Sequence, residues 1–261
     1  MKETINPFGL FASIVVTVIG VGLFSYPREL AEKVETNGWI ITLAAGGITC
    51  LLIYIMYKVI VLNNYESITN IILNNLGKWI GYIVIIIFNL ELLMTVGLQG
   101  RRFVEVIKKY LLEKTPTEFI LIITILVAAH FIGLGRANLG KFNEIAFWVM
   151  FVPMIFILLI ISKEGDFTNI FPIGQTKPMN YFSSLLSNVI VFAGFEIIFL
   201  FAPIVSDRKK VLKSSIWSMI FTSLFYTVIV IFCLAIFTKE EVKKILWPTI
   251  TMVNTIDIPG T

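Results

Sequence analysis

Charge, histidine and cysteine are all scarce in this chain of 261 residues. Charged residues make up 15%, with one histidine and two cysteines. A soluble domain carries about 25% charged residues, so this chain cannot wrap itself in polar surface. Cys50 and Cys233 both sit inside apolar runs, which excludes a secreted disulfide scaffold and leaves the redox compartment open. The sequence also lacks the H-E-x-x-H, G-x-S-x-G and phosphate-loop signatures and any Cys/His spacing of a zinc site. The expectation is a protein that is not an enzyme and holds no cofactor and no metal. No low-complexity tract is present.

What is abundant is apolar sequence. Hydrophobic residues reach 57%, the mean hydropathy is +0.89, and the net charge is +4. That excess of cations fits loops beside a membrane better than a nucleic-acid surface, so no nucleic-acid partner is expected. A bilayer core needs about 20 apolar residues of helix. Seven runs qualify: 8–26, 38–62, 79–100, 117–135, 143–162, 182–203 and 213–237. They are too long and too evenly apolar for barrel strands, so helices are expected. The first run is no signal peptide, because Ser25-Tyr26-Pro27-Arg28 is not a cleavage site. Two shorter segments, 63–78 and 239–247, have the spacing of amphipathic surface helices, and 163–178 reads as an extramembrane loop. Trp39, Trp79 and Trp247 sit near run ends, where interface anchors belong.

Lysine and arginine do not fix the orientation. With the N-terminus in the cytoplasm, fewer than half of the 21 fall inside, yet the densest cluster, 208–213, then falls inside too.

Two runs carry helix-breaking residues in matching places. Run one contains Gly20-Val21-Gly22, with Pro27 five residues on, and no G-x-x-x-G packing motif. Run six contains Gly194-Phe195-Glu196 and ends at Pro203. A pair of glycine- or proline-interrupted spans in corresponding halves points to a transporter-type binding site, because freed peptide groups and half-helix termini can hold a charged ligand. The competing reading is that the glycines serve close helix packing. Two acids lie deep in apolar runs, Glu91 and Glu196, where an ionisable side chain should face a wet cavity or a partner. Glu196 would contact ligand or else cap freed backbone groups. Glu91 shares one helical stripe with Thr95, Leu98 and Arg102, and would either contact ligand or pair with another helix. Asn143 and Glu144 are expected at the membrane interface. Run seven has no interior lysine, which removes a retinal protein from consideration.

At residues 20–30, GVGLFSYPREL, the chain resembles the first-helix motif of the amino acid–polyamine–organocation superfamily. Residues 75–83 (NLGKWIGYI), 108–116 (KKYLLEKTP), 239–250 (KEEVKKILWPTI) and 256–260 (IDIPG) narrow the likeness. Together they resemble the spore permease-like family, the B subunits of nutrient germinant receptors of spore-forming bacteria, over essentially the whole chain. The resemblance implies an all-α, polytopic fold built from five-plus-five inverted repeats. It implies a multi-pass protein of the inner spore membrane, partnered by an A and a C subunit, that senses a small nutrient such as an amino acid. The pocket it implies is built from Gly20, Val21 and Gly22, from Glu91 and Thr95, and from Gly194, Phe195 and Glu196. The family commonly has no carboxylate where this chain has Glu91.

Family members continue for about three further helices, the rest of the second repeat. Residues 1–261 are therefore expected to form one permease-like domain of seven spans, truncated after the seventh. Two other functions are open on the sequence alone: an amino-acid permease of the same fold, and a scaffold subunit that binds no ligand.

Overall fold

The computed structural model describes residues 4–174 and 176–255; the 256–260 motif lies outside them. The described chain is almost wholly helical. Helix α1 (Pro7–Val18) starts where Asn6 accepts a hydrogen bond from the Gly9 N–H at 2.7 Å and Pro7 supplies a fixed φ at the first helical position. It stops at Ile19 and Gly20, which leave the helical region. A single 3₁₀ turn, Val21–Phe24, leads into α2 (Tyr26–Val34), and a second short turn at Glu35–Asn37 leads into α3 (Gly38–Leu62). Run one is thus divided, and its second part continues past residue 26 as a charged helix that joins run two.

Helix α4 (Ile68–Leu76) is capped by Ser67, and Gly77 separates it from α5 (Lys78–Tyr110). Then follow α6 (Thr117–Gly133), α7 (Arg136–Ile161) and, after a 3₁₀ turn at Phe167–Ile170, α8 (Pro178–Val191). The sixth run also breaks. Gly194 adopts φ +117°, and the chain resumes as a 3₁₀ turn, Phe195–Ile197, and the short α9 (Ile198–Phe201). Helix α10 (Val211–Ile236) is followed by α11 (Lys239–Lys244), held by a Thr238/Glu241 capping box, and by α12 (Pro248–Asn254).

By length and composition, four of these segments can cross a membrane: Tyr26–Leu62, Lys78–Tyr110, Arg136–Ile161 and Arg208–Ile236. The pair Pro178–Val191 and Phe195–Ile204, bent by 41°, makes a fifth. The apolar helices α1 and α6 are shorter, at 12 and 17 residues. The chain is therefore a helical membrane protein with four or five such candidate spans among the described residues.

Helix α10 is the hub. Of its most apolar window 56% is buried, against 6% for α5. It packs on α3, where Gly46 lies flat against Ser223 and a Cβ at the glycine would land on the serine side chain. Ser223 Oγ also donates to the Thr42 carbonyl at 3.3 Å. On its other flank, α10 meets α1 and α7 through Phe11, Phe147, Phe151, Phe221 and Phe225, with Phe151 4.8 Å from each of the last two rings. Asn143 is buried within this contact, donating to Ser13 Oγ at 3.1 Å. A polar pair that satisfies itself between helices needs no water.

Candidate functional site

The two interruptions meet. Helix α1 and the 194–205 segment pass each other in opposite senses. At one end Ile5 N–H donates to the Ile204 carbonyl at 3.0 Å and Ser206 N–H donates to the Ile5 carbonyl at 2.9 Å. At the other end Gly194 touches Thr17, where a Cβ would stand 3.2 Å from both the Thr17 methyl and its carbonyl oxygen. A side chain there would face a strained φ and a clash together.

Broken helices leave peptide groups without intrahelical partners, and the structure answers several of them from distant parts of the chain. Tyr226 OH, on α10, donates to the Val18 carbonyl at 3.0 Å. Thr249 Oγ1, on α12, donates to the Leu23 carbonyl at 2.9 Å. Tyr26 closes the same region, its hydroxyl 2.9 Å from Thr42 Oγ1 and its ring 5.2 Å from that of Tyr226. In the second break, Glu196 Oε2 accepts the Gly194 N–H at 2.8 Å. Of the two roles open to Glu196, capping is thus the contact seen. Phe195 is buried beside it.

Gly20 and Gly22 behave differently from Gly194. A Cβ at either would meet no heavy atom within 4 Å. Close packing among the described residues therefore does not require glycine there. Gly20 instead borders a cavity of about 370 Å³, with Val21, Phe24, Phe103, Met150, Met154 and Phe225 among its walls. A second cavity of about 330 Å³ lies on the other side of Val21, lined by Arg28, Glu29 and Glu32 of α2, by Arg102 and Glu105 of α5, and by Trp247.

The structure therefore brings Gly20 and Val21 to a cavity and sets Gly194 against α1 behind them. Gly22 lies between, in the 3₁₀ turn. Glu91 and Thr95 are elsewhere. Both are exposed on α5, and Thr95 Oγ1 donates to Glu91 Oε1 at 3.2 Å within that helix. Their stripe reaches the cavities only at its far end, through Arg102. The apolar walls from α7 and α10 carry no sequence signal that separates them from ordinary core. The charged wall does have one: the charges of α2 follow the interruption directly.

The sequence that folds in this way matches a known protein family. A family model described as "Spore germination protein" covers residues 4–261. The chain belongs to the spore germination protein family. Relatives agree. Spore germination protein B2 of Bacillus subtilis (strain 168) is 26% identical over 244 residues, covering 94% of this chain and 66% of that protein. Spore germination protein GerQB of Bacillus cereus is 27% identical over 265 residues, covering 99% and 71%. Spore germination protein A2 of Bacillus subtilis (strain 168) is 24% identical over 257 residues, covering 98% and 70%. The chain thus spans about two thirds of the length of the curated family members it matches.

Proposed function

We propose that this chain is the membrane-embedded B-type subunit of a nutrient germinant receptor, sensing a small nutrient such as an amino acid in the inner spore membrane. Its work in this reading is recognition and not catalysis. The observation that carries it is the cavity bordered by Gly20 and Val21, beside a break that another broken segment braces at Thr17 and Gly194.

The mechanism follows from how the second part of the first run is held. Residues 21–34 are tied to the rest by separate contacts: Thr249 on the Leu23 carbonyl, and the neighbouring Lys239–Glu35 ion pair at 2.8 Å. A ligand wedged at Val21 changes the balance between arrangements of this segment, and it does so only by its difference in affinity for them. The shift would pass to A and C subunits, partners that enter through the family resemblance. In the same reading, the fold is a seven-span portion of a five-plus-five inverted repeat. Helices α1 and α2 form the two halves of span one, and α8 with residues 195–204 forms span six. The opposed course of α1 and the 194–205 segment supports that pairing.

The test is genetic. Spores lacking this gene are challenged with a panel of single amino acids and other small nutrients. Loss of the response to at least one nutrient is expected, and an unchanged response to every nutrient would overturn the reading. Uptake of labelled amino acid into proteoliposomes distinguishes a sensor, which shows none, from a permease.

A further inference from the structure

The start of α1, the end of α3 and the starts of α7 and α10 share one end of the bundle. Ile5 is hydrogen-bonded to Ile204 and Ser206, and a Cβ at Gly140 would land on the Ile5 side chain. Arg136 donates to the Leu200 carbonyl at 3.4 Å, and Tyr65 OH donates to the Arg208 carbonyl, also at 3.4 Å. Lys58, Arg136, Lys141 and the 208–213 cluster gather here, and the acids beside them are Glu66, Glu144 and Asp207. Among the described residues, the ion pair at this end is Lys210 with Asp207, at 3.3 Å. The opposite end answers its cations better, with Arg28 on Glu32, Arg101 on Glu105, Lys239 on Glu35 and Lys243 on Glu240. The unanswered cluster also stands at the N-terminus of α10, where the helix dipole is already positive. That placement is unfavourable for the chain alone and favourable with an anion beside it.

Depth decides which anion. Gly46 faces Ser223 and Tyr65 reaches Arg208, so α3 and α10 run antiparallel. Counted from the first contact, Tyr54 lies eight residues along α3 and Trp217 six residues along α10, about 12 and 9 Å. Both are exposed, and they stand within about 3 Å of one level, as aromatic anchors at a membrane interface do. Four residues further out on each helix comes an exposed lysine, Lys58 on α3 and Lys213 on α10. The Lys58 ammonium lies 5.4 Å from the centre of the Tyr54 ring. Lys209 lies four residues beyond Lys213, and Arg208 is braced over the Tyr65 ring at 4.5 Å. Cations about 6 Å outside the aromatic level are at the depth of phospholipid headgroups.

We propose that this end is a docking surface for anionic phospholipid. Lys58, Lys209 and Lys213 meet headgroup phosphates, and the acyl chains lie along the exposed faces that carry Tyr54 and Trp217. A zwitterionic lipid brings its own cation and does not neutralise the surplus, so the surface selects net negative charge. The proposal is independent of nutrient sensing. An acidic surface of a partner protein is the rival occupant.

The full chain in neutral detergent is titrated with phosphatidylglycerol, and bound lipid is counted by native mass spectrometry. Phosphatidylcholine with the same acyl chains is the zwitterionic arm, and glycerol 3-phosphate is the free-phosphate arm. Phosphatidylglycerol should bind at least about tenfold more tightly than phosphatidylcholine, and raised salt should weaken it. Lys209→Gln combined with Lys213→Gln should weaken phosphatidylglycerol about tenfold or more, the order of two lost cation–phosphate contacts, and leave phosphatidylcholine unchanged. Lys209→Arg combined with Lys213→Arg should bind as the parent does. So should Lys163→Gln combined with Lys177→Gln, which removes the same charge from exposed positions at the opposite end. Retained helix content and a single size-exclusion peak identify variants that are folded.

Three results would overturn the proposal. They are phosphatidylcholine bound as tightly as phosphatidylglycerol, undiminished phosphatidylglycerol binding by the folded double glutamine variant at 209 and 213, or displacement of phosphatidylglycerol by an equal concentration of glycerol 3-phosphate. The first of these, with partner subunits lost from the purified complex of that variant, would assign the surface to an acidic protein instead.

Discussion

Gly194 and Thr17 are in contact with no room between them. The glycine's missing side chain lets the break of the sixth run close on the last turn of α1. The same glycine holds φ +117°, which L side chains rarely adopt. Two independent demands therefore fall on one position, and the contact locks the two interruptions together.

Replacing Gly194 with alanine should destabilise the chain by roughly 1–3 kcal/mol, the usual cost of an unfavourable backbone conformation with a close contact added. Unfolding in mixed micelles checks this. Gly20→Ala, where a Cβ meets nothing within 4 Å, should change stability far less.

Tyr226→Phe removes one of the two donors to the Val18 carbonyl. Both groups are buried, and the carbonyl then keeps only the Gly20 N–H, at 3.0 Å. A loss of about 0.5–1.5 kcal/mol is expected. Amide exchange should rise at residues 18–22, next to the break, and stay unchanged at the α11 end of the chain.

Gly46→Leu should separate α3 from α10, because the side chain would have to displace Ser223. Overpacking of this kind costs roughly 1–3 kcal/mol. The neighbouring Gly47 has open space around its Cβ position, so Gly47→Leu is the matched control and should be well tolerated.

The helical class, the broken runs and the family were legible in the sequence. Length and hydropathy dictate spanning helices, and glycine marks where two of them fail. The direction of side chains on α5 was not legible. That helix is apolar around most of its circumference and hardly buried, so spacing places Glu91, Thr95 and Arg102 on one stripe without saying how far along it the neighbours reach. Contact occurs at Phe103 and Arg102, where the 3₁₀ turn and α2 approach, and Glu91 lies about three turns beyond. The partners of the break were hidden for another reason. Tyr226 and Thr249 come from more than 200 residues away in sequence, and no local pattern announces a long-range hydrogen bond.

The cap of α11 should be sensitive to acid. Glu241 accepts from both the N–H and the hydroxyl of Thr238, and these bonds hold its carboxyl below the usual carboxylate range. A pKa lowered in the folded state gives stability that is present above the unfolded value and is lost as pH falls through the folded one. Amide exchange at residues 239–244, compared between the parent and Glu241→Gln, should differ near neutral pH, begin to converge as pH falls past the ordinary glutamate value of about 4.3, and coincide only below the lowered folded value. A constant difference across that range would contradict this account of the cap.

The most direct measurement is nutrient-triggered germination of spores carrying Gly20→Trp. The position borders the apolar cavity and a Cβ there meets no heavy atom within 4 Å, so a large side chain has open space at its root and competes with a ligand for the cavity. With the protein present in the membrane at its normal level, the response to the nutrient lost on gene deletion should disappear. A response of normal rate and nutrient dependence would show that the cavity at the first break does not do the sensing.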